Sequence, residues 1–555
     1  MRDPAEVAVR GRSEVRLGEL KKLGIGAGAL LVGATLCAQP PVKVQPSAVP
    51  KVTGDSAPNA LGLGLIETAA TQGSQKLENP TSAIGFYGYF QDGPMVPAPG
   101  DVQAEDHNVE ASKTEPDKNT YLVLEHATGP DSNYDYGHHF LFQGHETGVQ
   151  GYVTRINLDA DAQHFVTLFA SEDSLGHALP VFDGSTWDPW AERLLLTSEE
   201  GADGGVWQST LDFPPLVEDL GGILGRGGYE GIQNDSDGNL WIAEDVSGAK
   251  GTVNSHARQP NSFVFRFVPK NKNNLKDGGK LQALQVCRLN TLPCDPIVFH
   301  ADDVDGDIIN QNQRDLHTYN KDFVTNWVTV HDTDVDGTTS FDANALAKLK
   351  HATPFKRPEN GQFRPGTSFT EFYFGPTGDT DKATEAGSLY GGFGAIFRLT
   401  QSTPSADTGT LRLFFRGDLN HTAFDNVAFW DKNHVVVVED RGDGLHSSAG
   451  FYDSAWRFDV RVDYSKSNLP FRILALGRDS SATIDSALSA AGHGYQNEGD
   501  NEITGIHVSN GDPSIGGILG AQDPTPFQEG WRVFYTQQHG DNVTWEILPG
   551  PNFSE

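Results

Sequence analysis

Sulfur is almost absent from this chain: its 555 residues include three cysteines and two methionines. So few thiols exclude a cysteine-built zinc module or a disulfide scaffold as the organising principle. No apolar run reaches the ~20 residues that carry a helix across a bilayer. The longest lies within LGIGAGALLVGATLCAQP at 23–40, about 15 residues long, behind Lys21 and Lys22 and closed by small residues. That is the pattern of an export signal over residues 1–38 with cleavage near Ala38, leaving no stable membrane span and a periplasmic or secreted protein; an uncleaved anchor and a lipidated Cys37 are the alternatives. Basic residues are outnumbered, 41 against 74 acids, and the net charge of −33 repels nucleic acid and anionic membranes. Helical periodicity is scarce, FDANALAKLKH at 341–351 being its clearest instance. A Gly-x-Ser-x-Gly elbow, a Walker loop and an HExxH helix are also missing, so serine hydrolases, nucleotide hydrolases and zinc proteases lack their usual parts.

What the chain does contain is 62 glycines and short β-branched or aromatic runs such as TYLVLEH, NSFVFRFVP, NHVVVVED and WRVFYTQQ. Clusters of Gly, Asp and Asn separate them, which predicts an all-β fold. Residues 39–80, rich in Pro, Ala, Ser, Gly and Thr, read as an unpacked linker, and residues 81–555 as the folded domain. Its largest insertion spans about 287–351 and opens with Cys287 and Cys294, which in an oxidising compartment close a small loop.

A weak internal repeat narrows the architecture. An acid precedes an apolar strand, a turn and a second strand follow, and one or two acids end the unit. DGSTWDPWAERLLLTSEE runs from Asp183 to Glu200; YEGIQNDSDGNLWIAED sets Glu230 against Glu244 and Asp245; FDNVAFWDKNHVVVVED sets Asp425 and Asn426 against Glu439 and Asp440. Looser copies end at Glu146, start at Glu359, or run from Glu502 to His539. Such copies predict a single β-propeller of about six blades whose acids gather at one rim of the central channel. Two carboxylates 4 Å apart cost about 4 kcal/mol even at an effective dielectric near 20, so the rim calls for cations. All-oxygen ligation suits hard ions, calcium first among them. Two further stretches, HADDVDGD and HDTDVDGTTSFDAN, imitate a calcium loop with Asp332, Asp334, Asp336 and Gly337, although Ala343 stands at the closing position. They are candidates for peripheral calcium sites or for acidic surface loops.

KRPENGQF at 356–363 and GRGGYEGIQNDSDGNLWIAED at 225–245 resemble the Arg-Pro-Glu motif and the Arg-x-x-His-Glu segment of the PhoX-type alkaline phosphatases, a likeness that spans most of residues 120–545. FDNVAF, EITG with the later QQHG, QGHE and LLLTSEE also look like family landmarks. The resemblance implies an exported six-bladed propeller that hydrolyses phosphate monoesters through a metal-activated water or oxide, with Ca²⁺ and Fe³⁺ as cofactors. It makes Glu230 and Glu359 metal ligands and Arg357 the phosphate clamp. Glu146, Glu200, Asp425, Asn426 and Glu502 become further metal-site groups, with His145 and His539 as supporting ones. The repeat adds Glu244, Asp245, Glu439 and Asp440 as candidate ligands. The chain departs from the family pattern where VFDGSTWDPW puts Asp183 in place of a cysteine ligand, where Tyr229 replaces a histidine, and in lacking a twin arginine. A carboxylate in place of the thiolate favours a harder or more labile metal set and counts against the family's iron pair. The expected partner is a small phosphate ester bound by a monomer. A calcium-dependent lactonase-like propeller and a non-catalytic calcium-binding propeller are the alternatives.

Overall fold

Antiparallel meanders are what short apolar runs punctuated by turn residues build, and the computed structural model consists almost wholly of them. It describes residues 59–62, 64–73, 75–88, 114–146, 150–199, 204–477, 502–538 and 542–551. Two four-stranded sheets come first: Pro116–Val123, His139–His145, Val153–Asn157 and Val166–Ala170, then Ser185–Asp188, Arg193–Ser198, Gly205–Ser209 and Val217–Asp219. A third meander, Tyr229–Asn234, Leu240–Glu244, Val264–Pro269 and Gly279–Val286, continues through Asp322–Asp332 into a fourth. The fourth runs Pro358–Phe363, Glu371–Pro376, Ala395–Gln401 and Thr408–Arg416, so the two share one nine-stranded sheet. Two sheets close the chain, one starting at Phe424–Asp431 and one at Glu502–Ser509.

The first strands of these six meanders pack side by side: Pro116–Val123 on Ser185–Asp188, then Tyr229–Asn234, Pro358–Phe363, Phe424–Asp431, Glu502–Ser509, and back to Pro116–Val123. The fold is therefore all-β and propeller-like, with few helices, built from five sheets rather than six separate ones. The insertion causes this difference, because its strand Asp322–Asp332 pairs with Gly279–Val286 on one side and Thr408–Arg416 on the other. Trp241 meets Trp327 and Phe363 edge-on at 5.0 Å, knitting that strand into the apolar layer between the third and fourth meanders.

Within the insertion Cys287 and Cys294 are disulfide-bonded, and the helix Ala343–Leu349 falls inside FDANALAKLKH. The calcium-loop imitations have other work. Asp303 caps the helix Val304–Ile308, and Asp305 accepts from the backbone of Thr252, Val253 and Asn254. Asp332 pairs with Lys280 at 3.5 Å, and Asp334 with Lys270. Capping, backbone acceptance and ion pairs thus engage Asp303, Asp305, Asp332 and Asp334, and none belongs to a metal-competent group among the described residues.

The expected linker is folded in part. Ala60–Leu61 pairs with Phe471–Ala475, and Leu65–Thr71 with Val543–Pro549, so each completes the outer edge of one of the last two sheets. LGLGLIETAA has weak strand propensity of its own; its strand character comes from partners hundreds of residues away. The export-signal segment 1–38 lies outside the described residues. No described helix is long and apolar enough to cross a membrane.

Candidate metal centre

Four of the six inner strands break register near their beginning, between Pro116 and Asn119, Tyr229 and Ile232, Pro358 and Asn360, and Phe424 and Val427. Asp117, Glu230, Glu359 and Asp425 sit in these four interruptions. A bulge turns a side chain out of the alternation of its strand, and here it places a carboxylate at the same end of each. Asp183 precedes the remaining early inner strand and is fixed by its amide, which donates to the Thr197 carbonyl at 3.0 Å. A second tier comes from the residue just after the second strand of a meander: Glu146, Glu199, Asp245 and Asp440.

These tiers converge. Asp117, Glu146 and Asp183 offer oxygens within 4.8 Å of one another, as do Asp183, Glu199 and Glu230, and Glu230, Glu359 and Asp425. Asp183 and Glu230 are each shared by two groups, so the seven acids form one continuous string. Asp117, Asp183, Glu230, Glu359 and Asp425 are buried, none more than 5 % exposed. Burial lifts every one of their pKa values, and repulsion lifts all but Asp117 further: Glu199, Glu146 and Asp117 act on Asp183, Glu359 and Asp183 on Glu230, Asp425 on Glu359, and Asp117 on Asp425. Glu199 is pushed up to about 8, first by burial and then by Asp245. Glu502 is raised by burial and by Asp440, Glu146 and Asp425, which places both Glu502 and Asp440 within electrostatic reach of the string. Among the described residues Asp183 Oδ2, Glu359 Oε1, Asp425 Oδ2 and Asn426 Oδ1 have no hydrogen-bond partner although buried. Clustered, unsatisfied, all-oxygen donors fit hard cations.

Arg357 stands at the edge of this string. Its backbone is left-handed, φ 57°, immediately ahead of Pro358. The guanidinium grips Asp245 with two arms, Nε to Oδ1 at 2.9 Å and Nη2 to Oδ2 at 2.7 Å, and Nη2 lies 3.5 Å from Glu359 Oε1. Burial opposes its charge, but Asp245 and Glu359 outweigh burial and hold its pKa well above the ordinary value. Both oxygens of Asp245 are thereby engaged by the arginine, so Asp245 is a partner of Arg357 rather than a member of the metal-competent groups.

The other predicted residues divide. Glu244 Oε2 accepts from the Phe263 amide at 3.0 Å and Asn344 Nδ2 at 2.9 Å. Glu439 accepts from the Ser454 amide at 3.0 Å, the Thr422 amide at 3.1 Å and Arg441 Nη2 at 2.6 Å. Each ties the end of a second strand to the start of a third, which accounts for the spacing the two units share, and neither joins the string. Asn426 Nδ2 donates to Asp425 Oδ1 and so steadies that carboxylate. His145 is a core group: Thr114 and Thr154 hydroxyls engage its two ring nitrogens at 3.0 and 2.9 Å, it stacks on Tyr152, and burial drives its pKa well below the ordinary range. Glu200 and His539 lie outside the described residues.

Sequence reasoning passed over Asp117, Lys118 and Glu199. Lys118 Nζ donates to Asn360 Oδ1 at 3.0 Å, and burial lowers its pKa to about 8 against the upward pull of Asp117, Glu230 and Asp425. The signal was present in EPDKNTYLVLEH, an acid just ahead of an apolar run as in the other units. Glu199 is the neighbour of the residue chosen from the SEE triplet.

Residues 258–509, somewhat under half of the chain, match the family model of the alkaline phosphatase PhoX. The matched segment contains Arg357, Glu359, Asp425, Asn426 and Glu502, whereas Asp117, Glu146, Asp183, Glu199 and Glu230 precede it. The structure of Pseudomonas fluorescens PhoX in complex with vanadate, a transition-state analogue, superposes with a TM-score of 0.51 at 11% sequence identity, covering 91% of this chain and 98% of that one. That likeness is one of fold. A gluconolactonase from Xanthomonas campestris gives 0.32 at 10% identity, covering 92% and 98% of the two chains. A Trichoderma reesei enzyme of carbohydrate-active family AA12 gives 0.29 at 9%, covering 90% and 99%. Both are too distant to bear on chemistry. No curated protein sequence matches the chain.

Proposed function

We propose that this chain is a metal-dependent phosphatase, PhoX-like, that hydrolyses phosphate monoesters at the carboxylate string. The observation that carries this reading is the string itself, seven converging acids beside a forked arginine, in a chain whose residues 258–509 match the PhoX family. The fold shared with a PhoX enzyme that holds vanadate, a transition-state analogue, supports it. Hard cations held by Asp117, Glu146, Asp183, Glu199, Glu230, Glu359 and Asp425 would neutralise phosphate charge and polarise the phosphoryl group.

The chain's own side chains supply the remainder. Arg357 is oriented before substrate arrives by its clamp on Asp245 and by the adjacent proline, so little ordering is left for the binding step. Its planar fork suits the tetrahedral oxyanion of a monoester. Lys118, charged below its lowered pKa of about 8, lies within electrostatic reach of Asp117, Glu230 and Asp425. A monoester carries more charge than a diester and gains more from such a site. Asp183 supplies oxygen where the resembling family supplies sulfur, which favours calcium, with Fe³⁺ the other ion an all-oxygen set accepts. The nine-stranded sheet reads as two blades spliced by Asp322–Asp332, giving six blades in all. Export through the segment 1–38 agrees with the Cys287–Cys294 disulfide. The protein acts on a small ester as a monomer, and its charge of −33 keeps nucleic acid away.

The test is turnover by the purified chain at alkaline pH of an aryl phosphate monoester, the corresponding diester and a lactone, with calcium and then with chelator. Monoester hydrolysis that calcium sustains and chelator abolishes is expected. Preference for the diester or the lactone, or no turnover of any of them, would refute the reading.

A further inference from the structure

Beside the string opens a cleft of about 740 Å³, walled by the third meander and by residues of the insertion around Ser340–Lys348. Glu199 and Asp245 both line it, so it adjoins the carboxylate string and the arginine clamp alike. Its volume is that of a site for a sizeable organic molecule, far larger than a phosphate needs.

Three features specify what the cleft accepts. Glu244 lines it at 0% exposure, with Oε2 fixed by the Phe263 amide and Asn344, while Oε1 has no hydrogen-bond partner among the described residues. A buried polar atom without a partner is costly and is relieved by a ligand hydroxyl, which can donate as well as accept. Acids outnumber cations along the wall: Asp342 joins Glu199, Glu244 and Asp245 against Lys348 and Arg226, and Arg226 is already paired with Asp219. A second anionic group on the ligand would be repelled. Phe341 presents a flat apolar surface held by stacking on His331 at 3.7 Å and 15°.

We infer that the cleft receives the alcohol portion of the ester and selects a neutral, hydroxyl-bearing alcohol of sugar size over small alkyl alcohols and over alcohols with a second phosphate. This rests on the phosphatase reading and assigns the wall of the same site. Glu244 acts in it as a hydrogen-bond partner for a ligand hydroxyl and Phe341 as a platform for the less polar ring face.

The experiment compares kcat/KM of the metal-loaded chain for glucose 6-phosphate, ethyl phosphate and fructose 1,6-bisphosphate. Two variants accompany it: Glu244→Gln, which keeps the shape of the side chain but gives it an amide donor, and Ser247→Trp, which fills the cleft from an exposed position. Glucose 6-phosphate should lead ethyl phosphate by about tenfold or more, and each variant should cut that ratio by about tenfold. Glucose 6-phosphate should also exceed the bisphosphate. If ethyl phosphate is turned over but the ratio is flat in the native chain, or is unmoved in Ser247→Trp, the cleft is not the alcohol subsite. If none of the three esters is turned over, the phosphatase reading itself fails.

Discussion

Glu230 and Glu439 occupy the same kind of unit yet keep different company, Glu230 among carboxylates and Glu439 against Arg441, and substitution separates them. Glu230 belongs to two of the three carboxylate groups, so Glu230→Gln should lower the ions bound per chain and reduce phosphate release by about a hundredfold or more. Glu439→Gln leaves Arg441 buried beside a neutral amide and should instead lower the melting temperature, by an amount corresponding to about 3 kcal/mol, with ion content retained. Metal analysis and thermal melts on both variants check this, and loss of ions in Glu439→Gln but not in Glu230→Gln would reverse the assignment. Glu230, Glu359 and Asp425 were legible in the sequence because each stands just ahead of an apolar strand inside a recognisable motif. Glu244 and Glu439 were chosen for the same reason and fall outside the carboxylate groups, since a period fixed by backbone closure looks identical to one fixed by ligation. The departure in VFDGSTWDPW singled out Asp183, which the structure places in two carboxylate groups.

At the scale of elements, the apolar runs announced their strands, and the helix within FDANALAKLKH was plain from its periodicity. The bulges that aim the acids were not visible, because a bulge is a mismatch between two strands and each strand alone carries no mark of it. The splice strand Asp322–Asp332 and the edge strands Ala60–Leu61 and Leu65–Thr71 were hidden likewise, their state being set by distant partners. Those two edge strands lead to a prediction. Deleting residues through 72 would strip the outer edges formed on Phe471–Ala475 and Val543–Pro549 and leave both open to solvent and to other chains. The truncated protein should melt at a lower temperature and aggregate in a concentration-dependent way; an unchanged melt would show that the edge strands contribute nothing to stability.

Over the whole molecule, the metal-free protein carries a burden that depends on pH. Glu199 and Glu244 have folded-state pKa values of about 8 against an ordinary value of 4.5. The folded state therefore holds protons that the unfolded state has released. The stability this contributes is complete below about pH 4.5 and is lost as pH rises through 8. Chelated protein should thus melt at progressively lower temperature from about pH 5 to about pH 8.5. Calcium should restore much of the loss at the alkaline end by taking the place of protons in the string, while the Glu244 part persists. A melting temperature that is flat or rises across this range in chelator would contradict the electrostatics of the string. The acidic surface, net −33, keeps its sign throughout and favours small diffusible substrates over polyanions.

Calcium titrated back into the chelated chain, with bound ions and phosphate release from an aryl monoester measured on the same samples, joins metal, site and chemistry in one experiment. Activity should rise from zero as ions bind, and Glu230→Gln should show both curves depressed together. Phosphate release that persists in chelator, or full ion binding with no release at any loading, would contradict a metal-dependent phosphatase built on these carboxylates.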